Sequence, residues 1–390
     1  MAAPAAKRAR TSELALVASE AAPEGAAAAD EAPRTSNLFA PIMLLTGHEG
    51  AVYTARYNPD GTMLASSGHE KTIFLWDNLI GDCRNFNVLQ GHKRAVTQLC
   101  WTGDGEKLAT SSADKTVGLW DVKSGKRTRK LTGHNACVER ALRRPAALRA
   151  AAAAAPSAPA PSPTTTTNQL TSLASLPLRY VNAVDCTRRG DALVVSAGDD
   201  GCAMVWDARN RPSEACVGVL DAGSSTLAAV FGDAGDTVMT GGIDNVVHVW
   251  DLRKQARTML LEGHSDTVTG LAVSPDGTKL LSNSMEGSIG CWDISPFAQG
   301  SRLLKKFVGA SHNFEKNLLR CAWSHDAERV SGGCATGTVH VWDVPSGEEL
   351  YTLGGHIGSV NEVTFHPTEP IVLSCSNDKQ IYLGEIQPSA

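Results

Sequence analysis

A Trp-Asp pair recurs along this chain, at Trp76-Asp77, Trp120-Asp121, Trp206-Asp207, Trp250-Asp251, Trp292-Asp293 and Trp342-Asp343. A Gly-His pair precedes most of them, at Gly47-His48, Gly91-His92, Gly133-His134, Gly263-His264 and Gly355-His356. The step from His to Trp is 28 residues at 48 to 76, 92 to 120 and 264 to 292, and the same step carries His356 to Gly384. A short fixed period restricts the fold severely. Each unit is too small to bury an apolar face alone and must stack on its neighbours.

Within each unit, short apolar runs alternate with turn signals. Ile73-Phe74-Leu75-Trp76 and Val246-Val247-His248-Val249-Trp250 have the β-branched and aromatic content of strands. Asn58-Pro59-Asp60-Gly61 and Ser274-Pro275-Asp276-Gly277 are hairpin turns, whose Asp and Gly tolerate the positive φ such turns need. Period and signatures together predict an all-β chain folded as a seven-bladed WD40 β-propeller. The third unit begins at Gly133-His134 but reaches its Trp only at 206; the fourth has Ala222-Gly223-Ser224 where Gly-His would stand. The sixth carries His312 in a longer leading loop, and the seventh has Gly384-Glu385 in the Trp-Asp slot. Residues 41–46 read as an outer strand that pairs with the last blade and removes an open sheet edge.

The His, Ser, Asp and Trp of one unit can form an inward hydrogen-bonded network, and His92, Ser112, Asp114 and Trp120 are the one complete set. Glu70 and Glu286 replace the Asp in blades 1 and 5, and Thr336 replaces it in blade 6. Such His–Asp pairs resemble catalytic ones, but their recurrence with the blades assigns them to structure, because buried polar groups need partners. No phosphate-binding glycine loop sits between strand and helix, and no His/Cys/Asp cluster has metal spacing outside the repeat. Neither enzyme chemistry nor a cofactor is expected.

With 36 Lys and Arg against 41 Asp and Glu, a nucleic-acid surface spread over the whole molecule is not supported. None of the ten cysteines forms a Cys-x-x-Cys pair, and no apolar run is long enough to span a bilayer, so a reduced intracellular compartment is expected. Two segments fall outside the repeats. Residues 1–39 are an Ala/Pro-rich tail expected to be disordered, with a basic cluster, Lys7-Arg8-Ala9-Arg10, that reads as a nuclear-localisation element or a solvated tail. Residues 139–179 form a low-complexity insertion that interrupts blade 3, with Cys137-Val138 and Tyr180-Val181-Asn182 as the two halves of the innermost strand. A looped-out bulge, an adapter for a partner and translated non-coding sequence are the competing readings. The propeller itself spans 40–387.

Other stretches carry a closer resemblance, and the WD40 repeat does not account for the His312–Leu319 loop, Pro296-Phe297-Ala298 or the Gly-Glu in place of Trp-Asp. They include His312-Asn313-Phe314-Glu315-Lys316-Asn317-Leu318-Leu319-Arg320-Cys321, Trp292-Asp293-Ile294-Ser295-Pro296-Phe297-Ala298, Gly241-Gly242-Ile243-Asp244-Asn245, and the run from Asn361 to Gln387 with its missing Trp-Asp. In these the chain resembles the WD-repeat subunit of the U5 small nuclear ribonucleoprotein, over residues 40 to 387 except 139–179. The resemblance implies a non-catalytic nuclear scaffold for pre-mRNA splicing, a monomeric subunit beside the large U5 core protein, with the U5 GTPase and RNA helicase nearby and no sequence-specific nucleic-acid contact. The insertion and the Glu and Thr in the Asp slots depart from the family pattern. A rival reading rests on Trp206-Asp207-Ala208-Arg209 and Trp250-Asp251-Leu252-Arg253. These Trp-Asp-x-Arg boxes resemble those of substrate receptors in cullin–RING ubiquitin ligases, with Arg209 and Arg253 docking the adaptor.

Repeat alignment selects one face for partners. Side chains where the innermost strands begin, and just before the Asp slot, point there: Tyr53, His69, Thr97, Asn182, Asp199, Thr269, Asn317, Asn361 and Asn377. Phe314 joins them from the longest departure from the repeat, since loops on a rigid scaffold carry specificity. The alternative for Phe314 is packing back onto blade 6.

Overall fold

The computed structural model describes residues 36, 38, 40–77, 83–134, 180–189, 193–211, 214–298 and 300–387. The tail with Lys7–Arg10 and the segment 139–179 lie outside them. Among the described residues all regular structure is strand, in seven antiparallel four-stranded sheets. Six sheets are built from consecutive strands, blade 1 for example from Val52–Tyr57, Met63–Gly68, Thr72–Asp77 and Arg84–Gln90. The seventh takes Val360–Phe365, Ile371–Ser376 and Ile381–Glu385 from the C-terminal end and Ile42–Leu45 from the other, with Ile42 opposite Gly384 and Leu45 opposite Ile381.

The core lies between blades. Seven apolar clusters form, one at each junction. Ile73, Leu75 and Leu89 of blade 1 meet Leu99, Leu108 and Trp120 of blade 2, and Leu373, Ile381 and Leu383 of blade 7 meet Val52, Leu64 and Trp76 of blade 1. Trp120, Trp206, Trp292 and Trp342 are almost fully buried there. Trimming such a side chain to Ala costs about 3–5 kcal/mol, which is why the period marks them so strongly. In each hairpin before the third strand one residue holds a left-handed backbone, such as Lys115 at φ 70 or Gly201 at φ 78.

One expectation changes here. The innermost strand of blade 3 is Val181–Cys186, unbroken and of the same length as Val52–Tyr57 and Val96–Trp101. The chain returns at Tyr180 directly into a full strand, so the insertion precedes the strand and does not split it; Cys137-Val138 lie outside the described residues. His312 lies in the long loop leading into blade 6, as expected, and not in the histidine slot. Buried Ala310 follows Gly309 in that slot, and both ring nitrogens of His312 are buried without a partner. Eight cysteines among the described residues are free thiols.

Candidate functional site

The hydrogen-bonded sets explain what holds each blade rigid. In blade 2, Trp120 Nε1 donates to Thr110 Oγ1 at 2.9 Å, and Thr110 Oγ1 lies 2.8 Å from His92 Nε2. His92 Nδ1 lies 3.1 Å from Asp114 Oδ2. An ionised carboxylate only accepts, so Nδ1 carries the proton and Nε2 accepts from the threonine hydroxyl. Burial pushes the Asp114 carboxyl up, but the hydrogen bonds from His92, Thr116 and the Lys93 backbone outweigh it and hold Asp114 well below the usual carboxylate range. The hub is Thr110 and not the expected Ser112. Thr110 faces Gly118 and Trp120 faces Leu108, so Thr110 and Trp120 are diagonal neighbours. Ser112 sits at the strand end, where its hydroxyl donates to Ala95 O at 2.9 Å.

Nor is this set the only complete one. His134, Ser196, Asp200 and Trp206 repeat it in blade 3. His48, Ser66, Glu70 and Trp76 do so in blade 1, and His264, Ser282, Glu286 and Trp292 in blade 5. The longer Glu side chain therefore serves where Asp was expected. Blade 7 keeps His356, Ser374 and Asp378 and sets Tyr382 edge-on to the histidine. Blades 4 and 6 use a second arrangement, with the histidine on the third strand: His248 bonds Asp244 at 2.6 Å, and His340 bonds Glu349 at 2.6 Å. In blade 6 the hub position is Gly332, which faces His340 and offers no hydroxyl, and the neighbouring Ser331 hydroxyl is buried without a partner. Thr336, in the Asp slot, donates to Cys334 Sγ at 3.0 Å.

The expected docking face divides into two classes. Six innermost strands carry a one-residue register shift near their start, at Tyr53, Thr97, Asn182, Leu227, Thr269 and Asn361. A bulge re-aims its side chain. Here the aim is the next blade. Thr97 donates to Val181 O at 2.6 Å, Asn182 to Thr226 O at 3.2 Å, Thr269 to Leu319 O at 2.8 Å and Asn361 to Val52 O at 2.6 Å. Asn182, Thr269 and Asn361 are buried. They are clamps between blades, and their polar groups are spent. Asp199 accepts from Asn182 at 2.6 Å, and Asn377 accepts from Asn361 at 2.8 Å.

What remains on that face is His69, exposed, the half-buried Tyr53 and Asn317, and two apolar side chains. Phe314 is 99% exposed, so it does not pack onto blade 6. Ile357, which residue periodicity did not flag, is 93% exposed in the loop leading into blade 7. Asn317 Nδ2 donates to Ser359 Oγ at 2.7 Å and ties the two loops together.

Arg320 also escaped sequence reasoning. It occupies the bulge position of blade 6, is buried, and turns its guanidinium across the channel to Tyr53 O, Thr97 O and Asn182 O. Burial lowers its pKa, and nearby Glu362 offsets part of that. On the far side of this plug lies a cavity of about 440 Å3 lined in part by Arg56, Asp185, Trp323 and Glu362. Its charged groups have partners: Arg56 and Glu362 pair at 2.8 Å, and Asp185 accepts the Phe231 N–H at 2.9 Å. Of the two box arginines, Arg209 is paired with Asp207 of its own blade at 2.8 Å, while Arg253 is exposed.

The WD domain, G-beta repeat family matches residues 39–77, 83–121, 171–207, 254–293, 303–343 and 347–383. The gap between 207 and 254 holds the first three strands of blade 4, with its relocated histidine. The U5 small nuclear ribonucleoprotein 40 kDa protein of Mus musculus is 43% identical over 91% of this chain and 86% of its own length. The chain belongs to that family. The U5 40 kDa protein of Dictyostelium discoideum is 38% identical over 91% of the chain and 87% of its own length. The pre-mRNA-splicing factor cwf17 of Schizosaccharomyces pombe is 36% identical over 90% of both chains. In this U5 40 kDa family member, the repeat-derived His and Asp residues are committed to blade structure. Among the described residues no group of His, Cys, Asp and Glu could hold a metal ion.

Proposed function

We propose that this chain is a non-catalytic subunit of the U5 small nuclear ribonucleoprotein, acting in the nucleus in pre-mRNA splicing as a rigid ring on which proteins dock. The observation that carries this is identity of 36–43% along nine-tenths of the chain to relatives named for that particle or for splicing. The buried sets support the rigid part of the reading, because each satisfied His–Asp or His–Glu pair holds one blade in a single arrangement. The exposed Phe314 and Ile357 support docking through the face where the innermost strands begin, since aromatic and aliphatic side chains anchor protein interfaces. The large U5 core protein is the partner assigned to that face, with the U5 GTPase and helicase as neighbours. Affinity purification of the tagged chain from nuclear extract tests the assignment. It should recover U5 proteins and U5 RNA together. Recovery of a cullin and its adaptor without them would replace this reading by the ubiquitin-ligase one.

A further inference from the structure

Charge is distributed unevenly around the ring. Residues 91–132, which make blade 2, contain nine Lys and Arg against four Asp and Glu, in a chain whose net charge is −5. The four carboxylates are largely spent inside the blade. Asp114 holds His92, Asp104 accepts from Thr102, Asp121 accepts from Ser124, and Glu106 pairs with Lys123 at 2.7 Å. That last pair is the one ion pair of a blade 2 lysine or arginine among the described residues. Lys93, Arg94, Lys126 and Lys130 are exposed and unpaired, and Lys115 is half-buried.

These groups form one continuous strip. The outermost strand of the blade, Lys126–Thr132, exposes Lys126, Thr128, Lys130 and Thr132 on one side. Alternate strand residues advance by about 7 Å, so Lys126 and Lys130 are fixed roughly 14 Å apart. On the other side, Arg127 lies over the Trp120 ring and donates to Gly91 O at 3.0 Å, and Arg129 reaches the backbone of blade 3 at Arg209 O. Those two arginines fasten the strand, so the lysines stand on a rigid edge. Thr132 pairs with Thr116, which places Lys115 at the upper end of the strip, and Lys93 is tied beside it through its N–H to Asp114 at 3.1 Å.

We propose that this edge of blade 2 holds an RNA phosphate backbone without reading its sequence. The partner class follows from what the strip lacks as well as from its charge. Its exposed strand positions are lysine and threonine alone, with no aromatic or aliphatic anchor. Protein interface cores are depleted in Lys and centred on apolar side chains, whereas phosphate contacts are made by Lys, Arg and hydroxyl side chains. The outermost strand of blade 1 is different, exposing Phe86 and Val88. The inference is independent of which protein occupies the Phe314 face.

Fluorescence anisotropy of a labelled mixed-sequence single-stranded RNA, titrated with the purified full chain from about 50 to 200 mM salt, tests it. Affinity should fall steeply with salt, with a log–log slope of about −0.7 for each phosphate contact. The pair K126E/K130E should weaken binding at least tenfold and reduce the slope, and K93E/R94E should do the same. K254E, on the basic-poor blade 4, should change neither. All these side chains are exposed, so melting temperatures should match and separate lost contact from lost fold. Absence of binding at low salt, or binding unchanged by both blade 2 pairs, overturns the proposal. Displacement of RNA by polyglutamate at equal charge concentration also overturns it, in favour of an acidic protein segment.

Discussion

The guanidinium of Arg320, on blade 6, donates to the backbone carbonyl of Asn182, on blade 3, at 3.2 Å. The two residues are 138 apart in sequence and face each other across the channel. The same side chain reaches Thr97 O at 3.1 Å, so one buried cation ties blade 6 to the opposite side of the ring. Arg320→Met, similar in length but without donors, should lower unfolding free energy by about 2–4 kcal/mol, because buried carbonyls lose their partners. Arg320→Lys should recover only part of this, since one ammonium does not match the arginine fork. Thermal and urea unfolding check both; a methionine variant as stable as the natural chain would remove the plug from the list of stabilising features.

Thr110 and Ser112 lie two residues apart with different duties. Thr110→Val keeps the shape but leaves Trp120 Nε1 without its acceptor and His92 Nε2 without its donor, and should cost about 1–3 kcal/mol. Thr110→Ser should be nearly neutral, as serine already fills this place in blades 1, 3 and 5. Ser112→Ala should leave the Trp120 indole N–H resonance in place, while Thr110→Val shifts it.

Phe314→Ala and Ile357→Ala remove side chains that bury almost nothing. Stability should change by no more than about 0.5 kcal/mol. Co-purification with U5 proteins should drop, most in the double variant. Unaltered recovery of the particle would exclude these two side chains as anchors.

Acid should destabilise the ring in two stages. Burial lowers the pKa of His264, His356 and His366 below the ordinary 6.5, only partly offset in the first two by Glu286 and Asp378. The unfolded chain then binds more protons than the folded one from pH 6.5 downward, so stability falls as pH drops through that value. The second stage comes from Glu70, Asp114 and Glu286. Each is pushed up by burial but held net below its ordinary range by hydrogen bonds, so its stabilisation is present above about pH 4.5 and lost below it. Melting temperature should be flat from pH 8 to 7, decline from about 6.5, and steepen below 4.5. A melting temperature that rises between pH 7 and 5.5 would contradict the histidine sign.

Deleting 139–181, which joins Val138 to Asn182, leaves 29 residues' separation between His134 and Trp206, against 28 in the regular units. Val138 then takes the place of Val181 at the head of the innermost strand. Long loops cost little extra closure entropy, so the shortened chain should melt at or slightly above the natural temperature and still enter U5. Failure to fold, or loss of partners, would assign the segment a structural or adapter role.

Blade number, strand order and the identity of the buried tryptophans were legible in the sequence because they follow from a local period. A residue's place in the repeat, with its 28-residue step from His to Trp, sets its strand and face before any tertiary contact is known. The same alignment picked out Tyr53, Thr97, Asn182, Thr269 and Asn361 as equivalent, and they are equivalent. Only the folded ring shows that a bulge turns four of those five side chains into the neighbouring blade. The choice of Thr110 over Ser112 required the register against Gly118 and Trp120. Arg320 sits in a blade without a regular histidine, and its partners Tyr53 and Asn182 lie 267 and 138 residues away. Local pattern therefore determined the blades, and closure of the ring decided which polar groups remain free to meet a partner, because burial depends on neighbours that are distant in the chain.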